Sequence, residues 1–251
     1  MGIRATGLTE PAPGVHRLDV AHVNCYLVRT DDGLTLVDGG LPRSARLLDA
    51  LLERLGARRA DIDAVVLTHG HFDHVGMVRA LASEGVPAVV HPADRRLVRH
   101  PYRYAHEAPI WSYPLRHPQI LPTMTAMAWN GALTVRGADV AAPLSDGEVL
   151  DVPGHPRVIA TPGHTDGHCA LFFEHLGVVM CGDALVTLDP YTGHRGPQIV
   201  AGAATADSAR ALASLDALRQ AGARVLLPGH GDPWTGGAGA AVDAALRLGA
   251  H

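Results

Sequence analysis

Short apolar runs rich in β-branched residues recur along the chain, and their length predicts buried β-strands. The predicted strands are His16–Val20, Val23–Arg29, Leu34–Val37, Val65–Leu67, Val86–His91, Val158–Ala160, Ala170–Phe173, Val178–Cys181 and Arg224–Leu227. Helices are predicted at Pro42–Leu55, from near Asp73 to Ser83, at Thr205–Gln220 and at Ala238–Leu248. Strands and helices alternate in both halves of the chain, which predicts an α/β fold.

One long stretch, Pro92–Pro143, breaks this alternation. It carries seven prolines and two of the three tryptophans, and its apolar residues follow neither a helical nor a strand periodicity. Loops of this length inside a compact domain are usually functional or disordered, and this one is too aromatic for a solvated linker. We predict a single domain over residues 1–251 with an active-site cap at residues 92–143. A plain structural insertion is the alternative.

Composition and charge exclude several classes of function. The 251 residues carry a net charge of −4, every basic residue is arginine, and aromatic residues make up only 4% of the chain. Because no basic cluster includes spaced aromatic residues, no nucleic-acid partner is expected. No apolar run approaches the ~20 residues of a membrane span, and the N-terminus lacks a signal-peptide pattern. We therefore predict no membrane partner and a cytoplasmic location.

Cysteine and arginine each form a small group that bears on function. The cysteines have no CxxC spacing and lie in apolar, strand-like surroundings, so we predict buried free thiols at Cys25, Cys169 and Cys181. Four arginines are close together in the irregular stretch: Arg95, Arg96, Arg99 and Arg103. They form either a solvated helix face or an anchor for an acidic part of the substrate.

Three Gly-His-x-Asp sequences each follow an apolar run, so their histidines lie where predicted strands end in loops. These sequences are Gly70–Asp73, Gly163–Asp166 and Gly229–Asp232. The first belongs to His69-x-His71-x-Asp73-His74, which places four metal-competent side chains within six residues. Such a dense group at a strand end indicates a metal-dependent enzyme.

Four side chains this close in sequence can hardly all bind one tetrahedral ion. His69 and His71 can reach one cation from an extended loop, whereas the next two ligands continue toward a neighbouring position. Two ions side by side would use all four. Further ligands come from the other two loops and from the end of the strand Val178–Cys181: His164, His230 and Asp183, whose carboxylate is suited to bridge two ions.

These motifs resemble those of the metallo-β-lactamase superfamily over essentially the whole chain. The signature His-x-His-x-Asp-His matches His69–His74, and Thr161–His168, Gly182-Asp183 and Pro228–His230 resemble its later motifs. Leu36–Gly40 resembles its early Asp-containing turn. The resemblance implies a four-layer αβ/βα sandwich and a metal-dependent hydrolase. The ligand set is like that of glyoxalase II and of acyl-homoserine lactonases rather than that of a typical β-lactamase.

The resemblance also implies a role for each ligand. One ion would be held by His69, His71 and His164, and the other by Asp73, His74 and His230. Asp183 would bridge the two ions, and with Asp73 it would make up the catalytic carboxylates. Asp38 would accept the free ring N–H of a ligand histidine and so fix its tautomer.

The chemistry expected of such a site is hydrolysis. Five imidazoles and two carboxylates suit two zinc ions, although iron or manganese would also tolerate this set. A metal-bridging hydroxide would attack the carbonyl of a small acyl substrate, an ester, thioester or lactone. The alternatives are a mononuclear iron oxidoreductase similar to persulfide dioxygenases, and a β-lactam hydrolase. The full second ligand set disfavours the former, and Asp183 with the absence of lysine disfavours the latter.

Residues outside the ligand set are predicted to shape the substrate pocket. Trp111 and Trp129 offer large apolar area, so we expect the stretch 92–143 to set substrate choice and to favour an apolar or aromatic-bearing substrate. Tyr191 is a candidate donor to the carbonyl oxygen, and His194, with His117, is a candidate for the cleft wall. His168 is expected to pack or hydrogen-bond near the site rather than to bind metal.

Overall fold

A computed structural model describes residues 6–250 of the chain, and its first half is built on a six-stranded sheet. The first four strands form an antiparallel meander, and the last two are added parallel to the fourth. In sheet order these strands are β1 (Thr6–Ala12), β2 (Val15–Val20), β3 (Val23–Thr30), β4 (Gly33–Val37), β5 (Ala64–Val66) and β6 (Ala88–Val89).

The second half contains a four-stranded sheet and a small two-stranded one. The strands are β7 (Arg157–Ala160), β8 (Cys169–Phe173), β9 (Val178–Gly182), β10 (Val186–Leu188), β11 (Arg195–Gln198) and β12 (Val225–Pro228). The larger sheet has the order β12-β9-β8-β7, and β10 pairs with β11. Only the β12–β9 pair is parallel, because the chain crosses over through a helix before β12.

Seven α-helices accompany these sheets in the described part of the chain. They are α1 (Ala45–Leu55), α2 (Val78–Ser83), α3 (Arg95–Arg99), α4 (Tyr113–Arg116), α5 (Leu121–Trp129), α6 (Ser208–Ala221) and α7 (Ala238–Leu248). Gly56 ends α1 in the left-handed conformation (φ 71°), and Asp207 caps α6 by accepting a hydrogen bond from the Arg210 amide. None of the helices within residues 6–250 is long and apolar enough to cross a membrane.

The apolar core lies in three layers that alternate with the sheets and helices. Between the sheets, side chains such as Tyr26 and Val28 of β3 pack against Phe173 and Met180 of the second sheet. Outside the first sheet lies the buried face of α1, and outside the second lie the buried faces of α6 and α7. The layers are therefore helix, sheet, sheet and helix, and the predicted four-layer αβ/βα sandwich is confirmed.

The predicted elements agree with the structure except where the backbone pairs elsewhere. The helix predicted from near Asp73 begins only at Val78, because the preceding backbone is hydrogen-bonded to the loop after β4. The amide of Gly39 donates to the His74 carbonyl oxygen (2.6 Å), and the amide of Met77 donates to the Gly39 carbonyl oxygen (3.0 Å). The strand predicted at Val86–His91 is confined to β6. The three cysteines are buried free thiols, as predicted.

The stretch 92–143 contains three short helices, α3, α4 and α5, joined by turns and loops. Parts of it pack into the body of the protein: Val98 reaches the core under the first sheet, and Ile120 packs near Ala201. Its tryptophans remain outside, since Trp111 is 72% exposed and Trp129 is 73% exposed. The stretch is thus anchored by its aliphatic residues, and its role as a cap stays a prediction.

Candidate metal centre

The loops that carry the predicted ligands all leave the sheets at one edge, where the two sheets meet. His69 to His74 follow β5, His164 follows β7, Asp183 follows β9 and His230 follows β12. Strands that are buried on both faces hold these loops rigidly. The residues brought together here are no more than 6% exposed: His69, His71, Asp73, His74, His164, Asp183 and His230.

The ligand atoms of these side chains form three groups whose members lie within 4.8 Å of one another. The groups are His69 with His71 and His164, His69 with His74 and Asp183, and Asp73 with His74 and His230. The first and third groups are the two sets of three ligands that the resemblance implies for two neighbouring cations. Within the first set, His71 Nδ1 lies 2.9 Å from His164 Nε2.

Asp183 is the residue that joins the two sets. Its Oδ2 lies 3.5 Å from His164 Nε2 in the first set and 3.3 Å from His230 Nε2 in the second. Its Oδ1 lies 3.5 Å from His74 Nε2. Because each carboxylate oxygen faces imidazole nitrogens, Asp183 is placed as a bridging ligand would be.

Asp38 orients two of the histidines from outside the cluster. His74 Nδ1 lies 2.9 Å from Asp38 Oδ2, and the Thr68 hydroxyl donates to the same carboxylate (2.9 Å). Because the Thr68 hydroxyl hydrogen points at Asp38, the hydroxyl oxygen acts as the acceptor for the N–H at His69 Nδ1 (3.0 Å). One buried carboxylate thus fixes the outer N–H of both rings, which leaves each Nε2 free to bind a metal.

Two further histidines are oriented by backbone and hydroxyl oxygens. His230 Nδ1 donates to the His22 carbonyl oxygen (3.0 Å). His164 Nδ1 lies 3.3 Å from the Thr205 hydroxyl, which in turn donates to the Val200 carbonyl oxygen (2.6 Å). In both rings Nε2 is therefore the unprotonated nitrogen of the neutral form, and it points into the cluster.

Several buried polar atoms of the cluster have no hydrogen-bond partner in the described part of the chain: His69 Nε2, His71 Nε2, His74 Nε2 and Asp183 Oδ1. Native proteins rarely bury such atoms without a partner, because each costs ~1–3 kcal/mol of desolvation. A lone pair directed at a cation removes that cost. Imidazole nitrogens and carboxylate oxygens in this number suit zinc or iron, so the residues present fit the metal ions that the sequence predicts.

The two ligand sets differ in their electrostatics. Burial and the neighbouring histidines hold the pKa of His69 well below its ordinary value, and burial lowers the pKa of His71 to about 4. In the other set burial opposes the charge on His74, but Asp183 and Asp38 raise its pKa to about 9. Asp183 likewise raises the pKa of His230 against the effect of burial. Without metal, the first set is neutral at pH 7 and the second carries protons.

A glycine gives the cluster the space that it needs. A Cβ atom at Gly229 would collide with Asp183 Oδ1 and would lie 2.7 Å from His74 Cε1. Glycine therefore lets the loop after β12 pass directly against the bridging carboxylate.

Asp94, which the sequence analysis did not single out, ties two ligand loops together. Its carboxylate accepts from the Gly70 amide (2.9 Å) in the loop after β5. It also accepts from the Thr165 hydroxyl (2.7 Å) and the Gly167 amide (2.8 Å) in the loop after β7. In the sequence Asp94 looks like an ordinary residue before a helix, so only the tertiary fold shows its role.

Tyr104 is a second residue that the sequence analysis did not place in the site. Its ring lies 4.5 Å from the His71 ring, centroid to centroid, and its hydroxyl is hydrogen-bonded to that of Tyr191. Burial raises the pKa of both phenols, so both are protonated at neutral pH. Tyr191, a predicted pocket residue, thus reaches the cluster through Tyr104.

The other predicted pocket residues lie apart from the cluster. Trp129 stacks under the Arg43 guanidinium (4.8 Å to the ring centroid), in a surface cavity lined by other residues than the ligands. His194 and His117 line a separate cavity with Thr192. The structure does not bring Trp111, Trp129 or His194 to the metal ligands, and their assignment to the substrate pocket stays a prediction.

His168 lies beside the cluster and supports it. Its Nδ1 lies 2.8 Å from the Thr161 hydroxyl, and its Nε2 accepts from the Asp183 amide (3.0 Å). Burial lowers its pKa to about 3, so the ring is neutral. It belongs to none of the metal-competent groups, which agrees with the expectation that it hydrogen-bonds near the site.

A four-layer sandwich with a His- and Asp-rich cluster at one sheet edge defines a class of metal-dependent hydrolases. A model of the metallo-beta-lactamase superfamily matches residues 18–230, and the chain belongs to this superfamily. A probable metallo-hydrolase of Bacillus subtilis (strain 168) is 27% identical in an alignment 262 residues long, gaps included. The alignment covers 93% of this chain and 90% of the relative. The chain is accordingly a metal-dependent hydrolase.

Solved structures support the same assignment. A metallo-beta-lactamase family protein from Thermus thermophilus superposes with a TM-score of 0.64 at 29% identity, covering 96% of this chain and 78% of that one. A protein solved in a di-iron-bound form superposes with a TM-score of 0.60 at 28% identity, and the match covers 92% of this chain and 93% of that one.

The hydrogen bonds of Asp38 predict a role in metal affinity. In Asp38→Asn an uncharged amide replaces the carboxylate beside His74 and Thr68, so we expect metal affinity to fall about 10- to 100-fold without loss of the fold. Competition with a chromophoric chelator measures the affinity, and circular dichroism checks the fold. The exposed residue Asp31, as Asp31→Asn, is the control. Unchanged affinity in Asp38→Asn would show that the carboxylate does not act on the ligands.

The pKa values predict that the two sets bind metal with different pH dependence. Because the raised pKa of His74 keeps it protonated at pH 7, metal must displace a proton there, and affinity falls as the pH is lowered from 8 to 6. The set with His71, whose pKa is about 4, is already neutral over this range. Calorimetry in buffers of different ionisation enthalpy counts the protons released. We expect clear release for the wild type and less for His230→Asn, which lacks one of the two protonated rings, and equal release would contradict this account.

Proposed function

We propose that this chain is a dinuclear zinc hydrolase of a small ester, thioester or lactone. The observation that carries the proposal is the position of Asp183, whose carboxylate faces ligands of both sets. A site for one ion has no need of a carboxylate between two groups of three ligands. The di-iron-bound neighbour of similar fold supports a two-ion site, and the ligand set also accepts iron.

Two divalent cations held by these residues would supply a water acidified to near neutral pH and a Lewis acid for the carbonyl oxygen. The protein holds these ligands in place before substrate arrives. Asp38 fixes the tautomers of His69 and His74, and Asp94 fixes the spacing of the loops after β5 and β7. The cluster is nearly closed to solvent, which strengthens every electrostatic contact within it.

Tyr104 is placed to contact the substrate. We assign the Tyr191 hydroxyl as the donor in its hydrogen bond with Tyr104, which leaves the Tyr104 proton free. The Tyr104 hydroxyl then donates to an oxygen of the substrate that lies at the metal centre. Tyr191 acts through Tyr104 as a positioning residue.

The alternatives have less support. A mononuclear iron oxidoreductase would leave Asp73, His74 and His230 without a ligand role. The ligand atoms of these three residues nevertheless lie within 4.8 Å of one another, close enough to bind one cation. A β-lactam hydrolase that grips the substrate carboxylate with lysine is also disfavoured, because the chain has no lysine. A single bound iron ion in elemental analysis would indicate the former, and cleavage of a chromogenic cephalosporin would indicate the latter.

Metal content and turnover test the two-ion site together. We expect about two zinc ions per chain after reconstitution, and hydrolysis in a screen of aryl esters, thioesters and lactones. Asp183→Asn should keep the fold but lose metal and at least about a hundredfold in kcat, because a neutral amide bridges two cations poorly. Asp151→Asn, an exposed carboxylate, is the control. A single ion per reconstituted wild-type chain, or full activity of Asp183→Asn, would refute the proposal.

The role of Tyr104 is tested by removing its hydroxyl. We expect Tyr104→Phe to lower kcat about 10- to 100-fold with two ions retained, since one donor to the reacting oxygen is lost. Tyr191→Phe should have a smaller effect. Tyr102→Phe is the matched control, because the Tyr102 hydroxyl bonds the Ala132 carbonyl and the Val135 amide. Equal rates for Tyr104→Phe and Tyr102→Phe would assign Tyr104 a packing role.

A further inference from the structure

A cavity of about 290 Å³ opens beside the metal ligands. Its wall includes the ligand His164 and the hydroxyl-bearing Tyr104, so a molecule in this cavity lies next to the proposed metal ions. The same wall includes Arg96 and Arg103, from α3 and the loop that follows it. One cavity therefore joins the reaction centre to two guanidinium groups, and its volume suits a small organic ligand.

Neither guanidinium is neutralised by the protein. Within residues 6–250 no carboxylate forms an ion pair with Arg96 or Arg103, whereas their neighbour Arg99 pairs with Asp139. Arg95 also faces Asp139, at 4.0 Å. The four clustered arginines thus divide into two that face a carboxylate outside the cavity and two that line it.

The acidic residues of the cavity wall compensate this charge only in part. Asp94 accepts three hydrogen bonds from the ligand loops, and its carboxylate is committed to them. Asp166 is paired with Arg210 (2.8 Å). Asp94 contributes at most one negative charge against the two guanidinium groups of Arg96 and Arg103, so the net charge of the cavity wall is positive. A guanidinium presents several N–H donors in one plane, which matches the oxygens of a carboxylate or a phosphate.

We propose that the cavity recognises an anionic group of the substrate, a carboxylate or a phosphate, through Arg96 and Arg103. The substrate then carries two functional parts: a carbonyl at the metal centre and an oxyanion held by the arginines. This inference rests on the proposed function, since it names the class of ester, thioester or lactone that the site accepts. It adds a charged group to the apolar or aromatic-bearing substrate expected from Trp111 and Trp129, neither of which lines this cavity.

Matched substrates and variants test this proposal. The probes are mono-4-nitrophenyl adipate, its neutral methyl ester, and the 4-nitrophenyl ester of 6-phosphohexanoate, which share a chain length and a leaving group. We expect at least a tenfold higher kcat/KM for one of the anionic probes than for the neutral one. The better of the two anionic probes shows whether the cavity prefers a carboxylate or a phosphate. Arg96→Gln and Arg103→Gln should each raise KM for that probe about five- to tenfold, with kcat little changed.

Arg95→Gln is the matched control, because it removes the same charge from the same segment but outside the cavity. A second readout is free of turnover: calorimetry of adipate binding to the zinc-loaded protein, which we expect Arg96→Gln and Arg103→Gln to weaken and Arg95→Gln to leave unchanged. Equal kcat/KM for charged and neutral esters, or equal effects of all three variants, would overturn the anionic subsite while leaving the hydrolase intact. If no acyl substrate is cleaved, the proposed function fails, and the adipate affinities still decide whether the arginines bind an anion.

Discussion

The burial of two carboxylates among histidines is the constraint on which the rest of this structure depends. Asp73 and Asp183 lie in a cluster that water hardly reaches, and an unpaired charge would be very costly there. The histidines beside them supply the compensation: His230 lies 3.3 Å from both carboxylates, and Asp183 raises its pKa well above the ordinary value. Metal ions would take over this role from protons. The same charges that stabilise the metal-free cluster therefore also make it a cation site.

The two halves of the sandwich must be held in register for this cluster to exist, and buried polar side chains hold them. Asp94 joins the ligand loops after β5 and β7. On the other side, Asn24 in β3 donates to the carbonyl oxygens of Pro228 and Gly231, both at 2.8 Å, around the His230 loop. The Tyr26 hydroxyl also donates to the Pro228 carbonyl oxygen (2.7 Å). These hydrogen bonds cross between the sheets, so ligand geometry is set by the fold itself.

The resemblance to the metallo-β-lactamase superfamily implied the sandwich, which is confirmed, and the two ligand sets, whereas local patterns predicted that the histidines lie at strand ends. Apolar runs that end in Gly-His-x-Asp place histidines at strand ends, and parallel or facing strands bring those ends together. Contacts that depend on tertiary packing were not predictable. The start of α2 shifted to Val78 because the backbone before it pairs with the loop at Gly39. Tyr104 and Asp94 lie in a stretch whose apolar residues show no periodicity, so the residues next to them in sequence gave no indication that they reach the site.

The stretch 92–143 provides Arg96, Arg103 and Tyr104, three side chains of the cavity wall that do not belong to the ligand set. In this account, the ligands fix the chemistry and this stretch fixes the choice of substrate. We propose that two metal ions lie between the two halves of the sandwich. Anomalous X-ray diffraction at the zinc edge, from crystals of the reconstituted protein, tests it most directly. We expect two peaks, one among His69, His71 and His164 and one among Asp73, His74 and His230, with Asp183 between them. A single peak, or a second peak outside this cluster, would contradict the account.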